Sequence, residues 1–172
     1  MERFCAGDSQ AFDALFARHA GAVRGFLRRL TQSEAAADDL TQLTFLSLVR
    51  ARGRFLAGAR FKPWLYAIAA NAAKDHRRRG SHETLPGDDA MPVQVADAAP
   101  VRDLGLEKRV RDALEQLPEA QREAILLHRF QGLSFAEIAE QAGVTESAVK
   151  VRAHRGYERL RELLGDLAGE LS

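Results

Sequence analysis

The sequence is poor in cysteine and in long apolar runs, and each shortage excludes a class of protein. The one cysteine, Cys5, excludes an internal disulfide framework and fits the reducing cytoplasm. No run of about eighteen apolar residues occurs, so we predict no membrane-spanning helix. The N-terminal stretch MERFCAGDSQ contains acids and lacks the apolar core of a signal peptide, so export is not expected. We therefore predict a cytoplasmic protein without membrane insertion.

The net charge of the whole chain is close to zero, but the charge is unevenly distributed along it. The 172 residues carry 25 Lys and Arg against 24 Asp and Glu, for a net charge of +1. Residues 1–80 nevertheless hold 14 cations and 7 anions, a balance of +7, and residues 50–80 alone hold nine cations and one anion. A patch of this density is an electrostatic footprint for a polyanion.

Proline is sparse, and its placement divides the chain. Three of the five prolines fall in residues 81–104, together with five anions and one cation. This stretch has no helical period and is predicted to be a flexible acidic linker. It separates an N-terminal unit, 1–80, from a C-terminal unit, 105–172, and both show apolar residues at helical spacing. The predicted fold class is all-α, with two small helical domains joined by the linker.

Residues 134–156, SFAEIAEQAGVTESAVKVRAHRG, contain two helical patterns that meet at a glycine. Ser134 and Glu137 have the spacing of a capping box at the start of the first helix. Gly143 permits the positive φ that ends this helix, and Thr145 is the expected N-cap of the second. This arrangement is typical of a helix-turn-helix.

The second helix of this pair is predicted to leave its cations on the outward face. Between Ser147 and Arg161 there are five cations and one anion. A helix about 10–12 Å across fits the major groove of DNA, where Lys150 and Arg155 can donate to guanine and Val151 can meet a thymine methyl. The alternative is a solvated basic face on a helical hairpin. The candidate DNA-binding residues are Ser147, Lys150, Val151, Arg152, His154, Arg155 and Arg159.

A second interaction surface is indicated on the helix that we predict from about Ser33 to Arg52. Its apolar residues form two nearly opposite faces, whereas a surface helix needs only one. One face comprises Leu40, Leu43, Thr44 and Leu48, and the other comprises Phe45, Leu46 and Val49. The second face either meets a neighbouring helix or docks a protein partner, and then Asp38, Asp39 and Gln42 form its edge.

Aromatic residues and cations are interleaved between residues 50 and 80. Rings stack on bases and cations hold phosphates, which suits a single nucleic-acid strand. An asparagine beside them can read the edge of an unstacked base. The alternative is that the rings are core and the cations form a helix C-terminal cluster. The candidate residues in the basic loop and on the helix predicted from about Pro63 to Arg79 are Arg54, Phe55, Arg60, Phe61, Lys62, Trp64, Asn71, Lys74 and Arg78.

No catalytic residue, metal ligand or cofactor site is indicated. The five histidines are His19, His76, His82, His128 and His154. They are scattered without metal-ligand spacing, and no carboxylate cluster is predicted in a basic pocket. A nucleic-acid-processing enzyme is therefore not favoured.

Two stretches resemble conserved regions of bacterial sigma factors. DDLTQLTFLSLVRARGRF followed by ARFKPWLYAIAANAAKDHRRR resembles region 2. LEQLPEAQREAILLHRFQGLSFAEIAEQAGVTESAVKVRAHRGYERLREL resembles region 4. Because the chain has only these two regions and a linker, it resembles the extracytoplasmic-function (ECF) subgroup.

The resemblance implies a dissociable subunit of RNA polymerase that is not itself an enzyme and is a monomer when bound to the core. Region 2 would dock on the clamp of the largest subunit, with Asp39, Leu40 and Gln42 at the matching positions. Leu43 stands where relatives often carry an acid, which would make this contact more apolar. Region 2 would also melt and read the minus-ten promoter element, with the non-template base near the 53–62 loop.

Region 4, in the same comparison, would read the minus-thirty-five element while resting on the flap of the second-largest subunit. The residues of region 4 at the matching positions are Lys150, Val151, His154 and Arg155. In region 2, Asn71 is the residue that matches the reader of the minus-ten element. The family usually pairs with an anti-sigma factor, so such a partner is expected as well. The chief alternative is a free-standing helix-turn-helix regulator, which would bind duplex DNA alone as a dimer.

Overall fold

The computed structural model describes residues 1–82 and 104–165, which belong to two compact units. The described residues form helices and turns and contain no strand, which confirms the predicted all-α class. The predicted linker, 81–104, lies outside the described residues except at its two ends. Nowhere in 1–82 or 104–165 does a helix reach the length and apolarity that a membrane crossing requires.

The first unit is built from helices whose ends are fixed by short polar side chains. Asp8 accepts a hydrogen bond from the Ala11 N–H at 3.2 Å, and Ser33 accepts one from the Ala36 N–H at 3.2 Å. These caps satisfy N–H groups that a first helical turn leaves unpaired. The elements described in this unit are α1 Glu2–Cys5, α2 Ser9–Thr31, α3 Glu34–Ala51, a 3₁₀ turn at Arg52–Arg54, and α4 Phe61–His82.

Two details of this unit differ from the sequence-based expectation. α4 begins at Phe61, so Pro63 lies inside the first turn and not at its first residue. Proline is tolerated there because the first N–H groups of a helix have no intrahelical partner. The short helix α1 was not predicted, and it is held by Phe4, whose buried ring lies 5.3 Å from the ring of Phe12 on α2.

The core of the first unit lies where α2, α3 and α4 pack together. Tyr66 of α4 is fully buried, its ring meets Phe26 of α2 edge-on at 5.3 Å, and burial raises the pKa of its hydroxyl. Burying one large apolar side chain contributes about 1.5–3 kcal/mol, so a few such residues hold the three helices together. The other large side chains buried completely here are Leu27, Leu48 and Leu65.

The second unit contains α5 Leu104–Glu115, α6 Glu119–Ile125, α7 Phe135–Ala142 and α8 Glu146–Leu163. α6 continues as a π-helical segment, Leu126–Phe130, where a single regular helix was expected. The wider turn is closed by the Gln131 N–H, which donates to the Leu126 carbonyl at 3.3 Å. Gly132, with φ of +70°, then ends the helix as predicted.

α8 lies very close to α6 at Gly156. A Cβ atom at this position would lie 2.7 Å from Ile125 Cδ1 and 3.3 Å from Gln121 Cβ. Ile125 is itself buried in the core of this unit, so its side chain has little room to move. The missing side chain at Gly156 therefore permits the close helix crossing that orients α8.

Candidate nucleic-acid interface

The start of α7 has the capping box that its sequence predicts. The Ser134 hydroxyl accepts a hydrogen bond from the Glu137 N–H at 3.2 Å, and Glu137 accepts one from the Ser134 N–H at 2.8 Å. Leu133 and Ile138, at the two positions of a hydrophobic staple, are both buried. These local contacts fix the direction in which α7 leaves the preceding turn.

The turn between α7 and α8 is also as predicted. Gly143 has φ of +63° at the end of α7, and the Thr145 hydroxyl accepts a hydrogen bond from the Ala148 N–H at 3.2 Å. Val149 and Ala153 of α8 are then buried against the rest of the unit. The helix-turn-helix predicted from the sequence is therefore present, with α8 in the position of a recognition helix.

The side of α8 opposite these buried residues carries the candidate DNA-binding side chains. Val151 is 45% exposed, which leaves its methyl groups available for a thymine methyl. Arg152 is half-buried. The exposed members of the set are Ser147, Lys150, His154, Arg155 and Arg159.

Two cations on this face are paired with acids of the same helix. Lys150 Nζ lies 2.8 Å from Glu146, and Arg159 Nη1 lies 2.8 Å from Glu162. Ion pairs between exposed side chains contribute little, about 0–1 kcal/mol. DNA can therefore replace the acids at small cost, because a phosphate or guanine offers the same cation an equivalent acceptor.

The loop between α3 and α4 brings four rings into one cluster. The ring of Phe55 lies 5.2 Å from Trp64 and 6.5 Å from Phe61, and Phe61 lies 5.2 Å from His19. All four side chains are half-buried, so the rings pack on one another and still present part of their surface to solvent. Burial lowers the pKa of His19, and the nearby charges of Arg18 and Lys62 act in the same direction.

Cations and one amide continue from this ring cluster along α4 and lie in the loop that precedes it. Asn71, Lys74 and Arg78 follow Trp64 at spacings of seven, three and four positions, so they share one face of α4. Asn71 and Arg78 are exposed and Lys74 is half-buried; Arg78 also pairs with Asp75 at 3.2 Å. The remaining cations of the set, all exposed, are Arg54, Arg60 and Lys62.

The candidate docking residues on α3 do not all reach the surface. Leu40 is 3% exposed, so its side chain belongs to the core and cannot contact a partner in this conformation. Phe45 is equally buried, with its ring 4.8 Å from Phe16 of α2. The sequence-based assignment of Leu40 as a contact residue is therefore corrected, and Phe45 follows the alternative in which the second face meets a neighbouring helix. The second apolar face is covered in part by α2.

The part of α3 that remains on the surface is centred on Leu46, which is 54% exposed. It is the apolar centre that a protein-docking surface requires. The other members of the set that stay accessible are the half-buried Leu43 and Val49 and the exposed Asp38, Asp39 and Gln42.

One acid of this surface is held by α2, which the sequence analysis missed. Arg24 donates to Asp38 at 2.5 Å and to Glu34 at 2.8 Å, and Arg28 lies 3.2 Å from Glu34. The hydrogen bond from Arg24 holds the pKa of Asp38 below its usual range. The network fixes the first turn of α3 against α2. The opposite charges in the two helices were visible in the sequence, but their pairing depends on how the helices pack.

Both units match family models of sigma-70 factors, region 2 at residues 15–83 and region 4 at residues 107–160. The chain is 48% identical to the RNA polymerase sigma factor CarQ of Myxococcus xanthus, over 100% of this chain and 99% of that protein. It is 37% identical to the ECF RNA polymerase sigma factor SigM of Mycobacterium tuberculosis, over 94% of this chain and 81% of that protein.

The fold is shared as well. The sigma factor RpoE of Bartonella quintana, solved in complex with the anti-sigma factor NepR, has a TM-score of 0.74 to this chain. The two are 27% identical, and the alignment covers 91% of this chain and 98% of that one. The chain belongs to the ECF RNA polymerase sigma factors. The resemblance found in the sequence is thereby confirmed, together with a function in promoter-directed transcription initiation, and the free-standing regulator is not favoured.

Proposed function

We propose that this chain is a cytoplasmic, non-enzymatic subunit that binds core RNA polymerase and divides promoter recognition between its two units. In this proposal residues 1–80 act as region 2, residues 105–172 as region 4, and residues 81–104 as the linker. The proposal is carried by the combination of two units in one chain. One is a helix-turn-helix with a cationic outward face. The other is a helical bundle with an exposed apolar surface on α3 and a ring cluster whose neighbours in sequence are cations.

Region 4 reads the minus-thirty-five element through α8. Lys150 and Arg155 donate to base edges in the major groove, and Val151 meets a thymine methyl. Each well-aligned base contact discriminates against a wrong base by about 1–3 kcal/mol. Arg152 and Arg159 hold phosphates and set the position of the helix without reading sequence.

Region 2 opens and reads the minus-ten element through the ring cluster. Extruding one base costs a few kcal/mol, and stacking that base on an aromatic side chain returns about 1–3 kcal/mol. The half-exposed rings of Phe55, Phe61 and Trp64 supply the stacking surface, and Asn71 reads a base edge. The cations around the cluster hold the phosphates of the separated strand and so favour the open form.

Region 2 docks on the clamp of the largest polymerase subunit through the exposed part of α3. Leu46 is its apolar centre, with Leu43 and Val49 beside it. A central apolar side chain with a polar rim is the usual anatomy of such an interface. Region 4 rests on the flap of the second-largest subunit, and the bound factor is a monomer.

An anti-sigma factor is the further partner that we propose. The support is the similar sigma factor RpoE, which is bound to the anti-sigma factor NepR in its solved structure. Such a partner would inhibit by covering the exposed part of α3, because the surface that docks on polymerase cannot hold two proteins at once.

Transcription reconstituted from purified components tests the proposed function. Bacterial core polymerase with this protein should start transcripts at a small set of genomic promoters, whereas core polymerase alone should not. The protein without core should bind the same duplex promoters weakly. Specific, tight binding of promoter duplex by the protein alone, with no transcripts on addition of core, would support a free-standing regulator instead.

A further inference from the structure

We propose that the short helix α1 is a positioning element that holds the loop Arg52–Arg60 in its DNA-reading conformation. The proposal rests on the function proposed above in one respect, namely that this loop contacts the opened minus-ten strand. The residues that do the positioning are Glu2 and Cys5, and neither is assigned a contact with DNA.

The first anchor lies where the loop begins. The Cys5 thiol donates a hydrogen bond to the Arg52 carbonyl at 3.3 Å, across 47 positions of sequence. The same carbonyl accepts a hydrogen bond from the Phe55 N–H at 3.2 Å. The oxygen of Arg52 therefore links α1 directly to Phe55, whose ring contacts Trp64 in the cluster.

The second anchor lies at the tip of the loop. The Ala59 N–H donates to the Leu56 carbonyl at 3.0 Å, which closes a turn in which Gly58 has φ of +80°. Gly58 is the residue that such a turn needs at this position, since positive φ is unfavourable for other residues. The Gly58 N–H in turn donates to Glu2 Oε1 at 3.4 Å.

α1 is rigid enough to act as an anchor because it is itself fixed. Phe4 is 5% exposed and packs on Phe12, and the guanidinium carbon of Arg52 lies 5.7 Å from the centre of the Phe4 ring. At the other end, Arg3 lies 2.7 Å from Asp8, the residue that caps α2. The helix is thus joined to α2 on one side and to the loop on the other.

Holding the loop at both points reduces the ordering that DNA binding requires. The loop is exposed over most of its length, and Leu56 at its tip is 75% exposed, so its own packing does little to fix it. A loop that is already ordered binds more tightly and discriminates better, because less conformational entropy is lost on binding. α1 supplies that order.

The test compares two double variants at the same positions. Glu2→Ala with Cys5→Ala removes both anchors, whereas Glu2→Gln with Cys5→Ser removes the same charge but keeps an acceptor and a donor. Trp64 is the one tryptophan of the chain and touches the loop through Phe55, so its fluorescence reports loop order in the full chain. The second readout is binding of holoenzyme to promoter fragments with a pre-opened minus-ten element, either cognate or altered.

We expect the alanine pair to raise the acrylamide quenching constant of Trp64 about twofold. Its discrimination between cognate and altered fragments should fall about fivefold, which is the worth of two modest hydrogen bonds. Core-polymerase affinity should not change, and the glutamine–serine pair should behave like wild type in both readouts. Wild-type quenching and discrimination in the alanine pair, or equal losses in both pairs, would overturn the proposal. If wild-type holoenzyme binds the cognate and altered fragments equally, the proposed minus-ten function fails. The Trp64 quenching comparison still tests whether α1 orders the loop.

Discussion

Replacing Gly156 with alanine tests the helix crossing that orients the recognition helix. The added Cβ would lie 2.7 Å from Ile125 Cδ1, closer than side chains tolerate, and 3.3 Å from Gln121 Cβ, which is a tight contact. Forcing a methyl group into a packed core costs about 1–3 kcal/mol, while alanine gains about 1 kcal/mol over glycine in helix propensity. The expected net effect is a loss of about 1 kcal/mol, with either the buried Ile125 side chain or α8 displaced.

The assay follows the two units separately within the full chain. Far-UV circular dichroism reports both, whereas Trp64 fluorescence reports the first unit alone. The unfolding transition that dichroism detects and Trp64 fluorescence does not belongs to the second unit. With a urea m-value of about 1 kcal/mol/M for a unit of this size, Gly156→Ala should lower the midpoint of that transition by about 1 M urea. The fluorescence midpoint should stay at its wild-type value.

Gly21→Ala is the matched control, because the same substitution should act in the opposite direction. Gly21 lies in α2, where an added Cβ would meet no atom within 4 Å apart from its chain neighbours and the backbone of its own helix. It should raise the fluorescence midpoint by about 0.5–1 M through helix propensity alone. A stabilising effect of Gly156→Ala, or wild-type binding of the minus-thirty-five element by that variant, would show that the close crossing does not set the position of α8.

Four further substitutions test the pairing and the two interfaces. Arg24 keeps the pKa of Asp38 below its usual 3.8, so the carboxylate stabilises the first unit above that pH, and this contribution is lost as the pH falls through the lower folded-state pKa. Asp38→Asn should therefore lower the urea midpoint at pH 7, and the difference should shrink in acid. Lys150→Ala should reduce discrimination at one base pair about tenfold, whereas Arg159→Ala should weaken all sequences alike and reduce the salt slope by about 1. Leu46→Glu should weaken core-polymerase binding by about tenfold or more without changing the urea midpoint.

The changes at Lys150 and Leu46 have matched controls in the same chain. Glu146→Gln removes the acid beside Lys150 and should leave binding of the cognate site intact or stronger. Leu56→Glu places the same charge on another exposed leucine and should leave core binding unchanged. A parallel loss of core affinity in Leu56→Glu would mean that the effect at Leu46 is non-specific. If the urea midpoint of Asp38→Asn depended on pH as that of the wild type does, the Arg24–Asp38 pair would not contribute to stability.

Features that depend on near neighbours in sequence could be predicted from the sequence. The capping box of Ser134 and Glu137, the left-handed turn at Gly143 and the cap at Thr145 each involve groups within a few positions of one another. Their geometry is therefore set locally, and the structure has all of them. The outward face of α8 could be predicted as well, because the start of the helix and the spacing of its apolar residues together determine which side chains point outward.

Features that depend on packing could not be predicted in the same way. Two apolar faces on α3 are compatible with either face being covered. The rings of Phe12 and Phe16 on α2 contact Phe45 and make it core, whereas Leu46 stays exposed. Leu40 was assigned to the docking surface from a matching position, but position in a motif does not report burial. The short helix α1 has no side-chain cap that the sequence could have revealed. It is held instead by the burial of Phe4, which depends on how α1 packs against the rest of the unit.

The central claim is that one unit opens the promoter while the other reads intact duplex upstream, and footprinting of holoenzyme on a single promoter tests it most directly. Wild-type holoenzyme should protect the minus-thirty-five element and make minus-ten thymines reactive to permanganate. Trp64→Ala with Asn71→Ala should abolish the reactivity and keep the upstream protection, whereas Lys150→Ala with Arg155→Ala should abolish the upstream protection. On a fragment that is already open at minus-ten, the Lys150 and Arg155 variant should still bind. Loss of both signals together in both variants, or permanganate reactivity that survives without the ring cluster, would contradict the account.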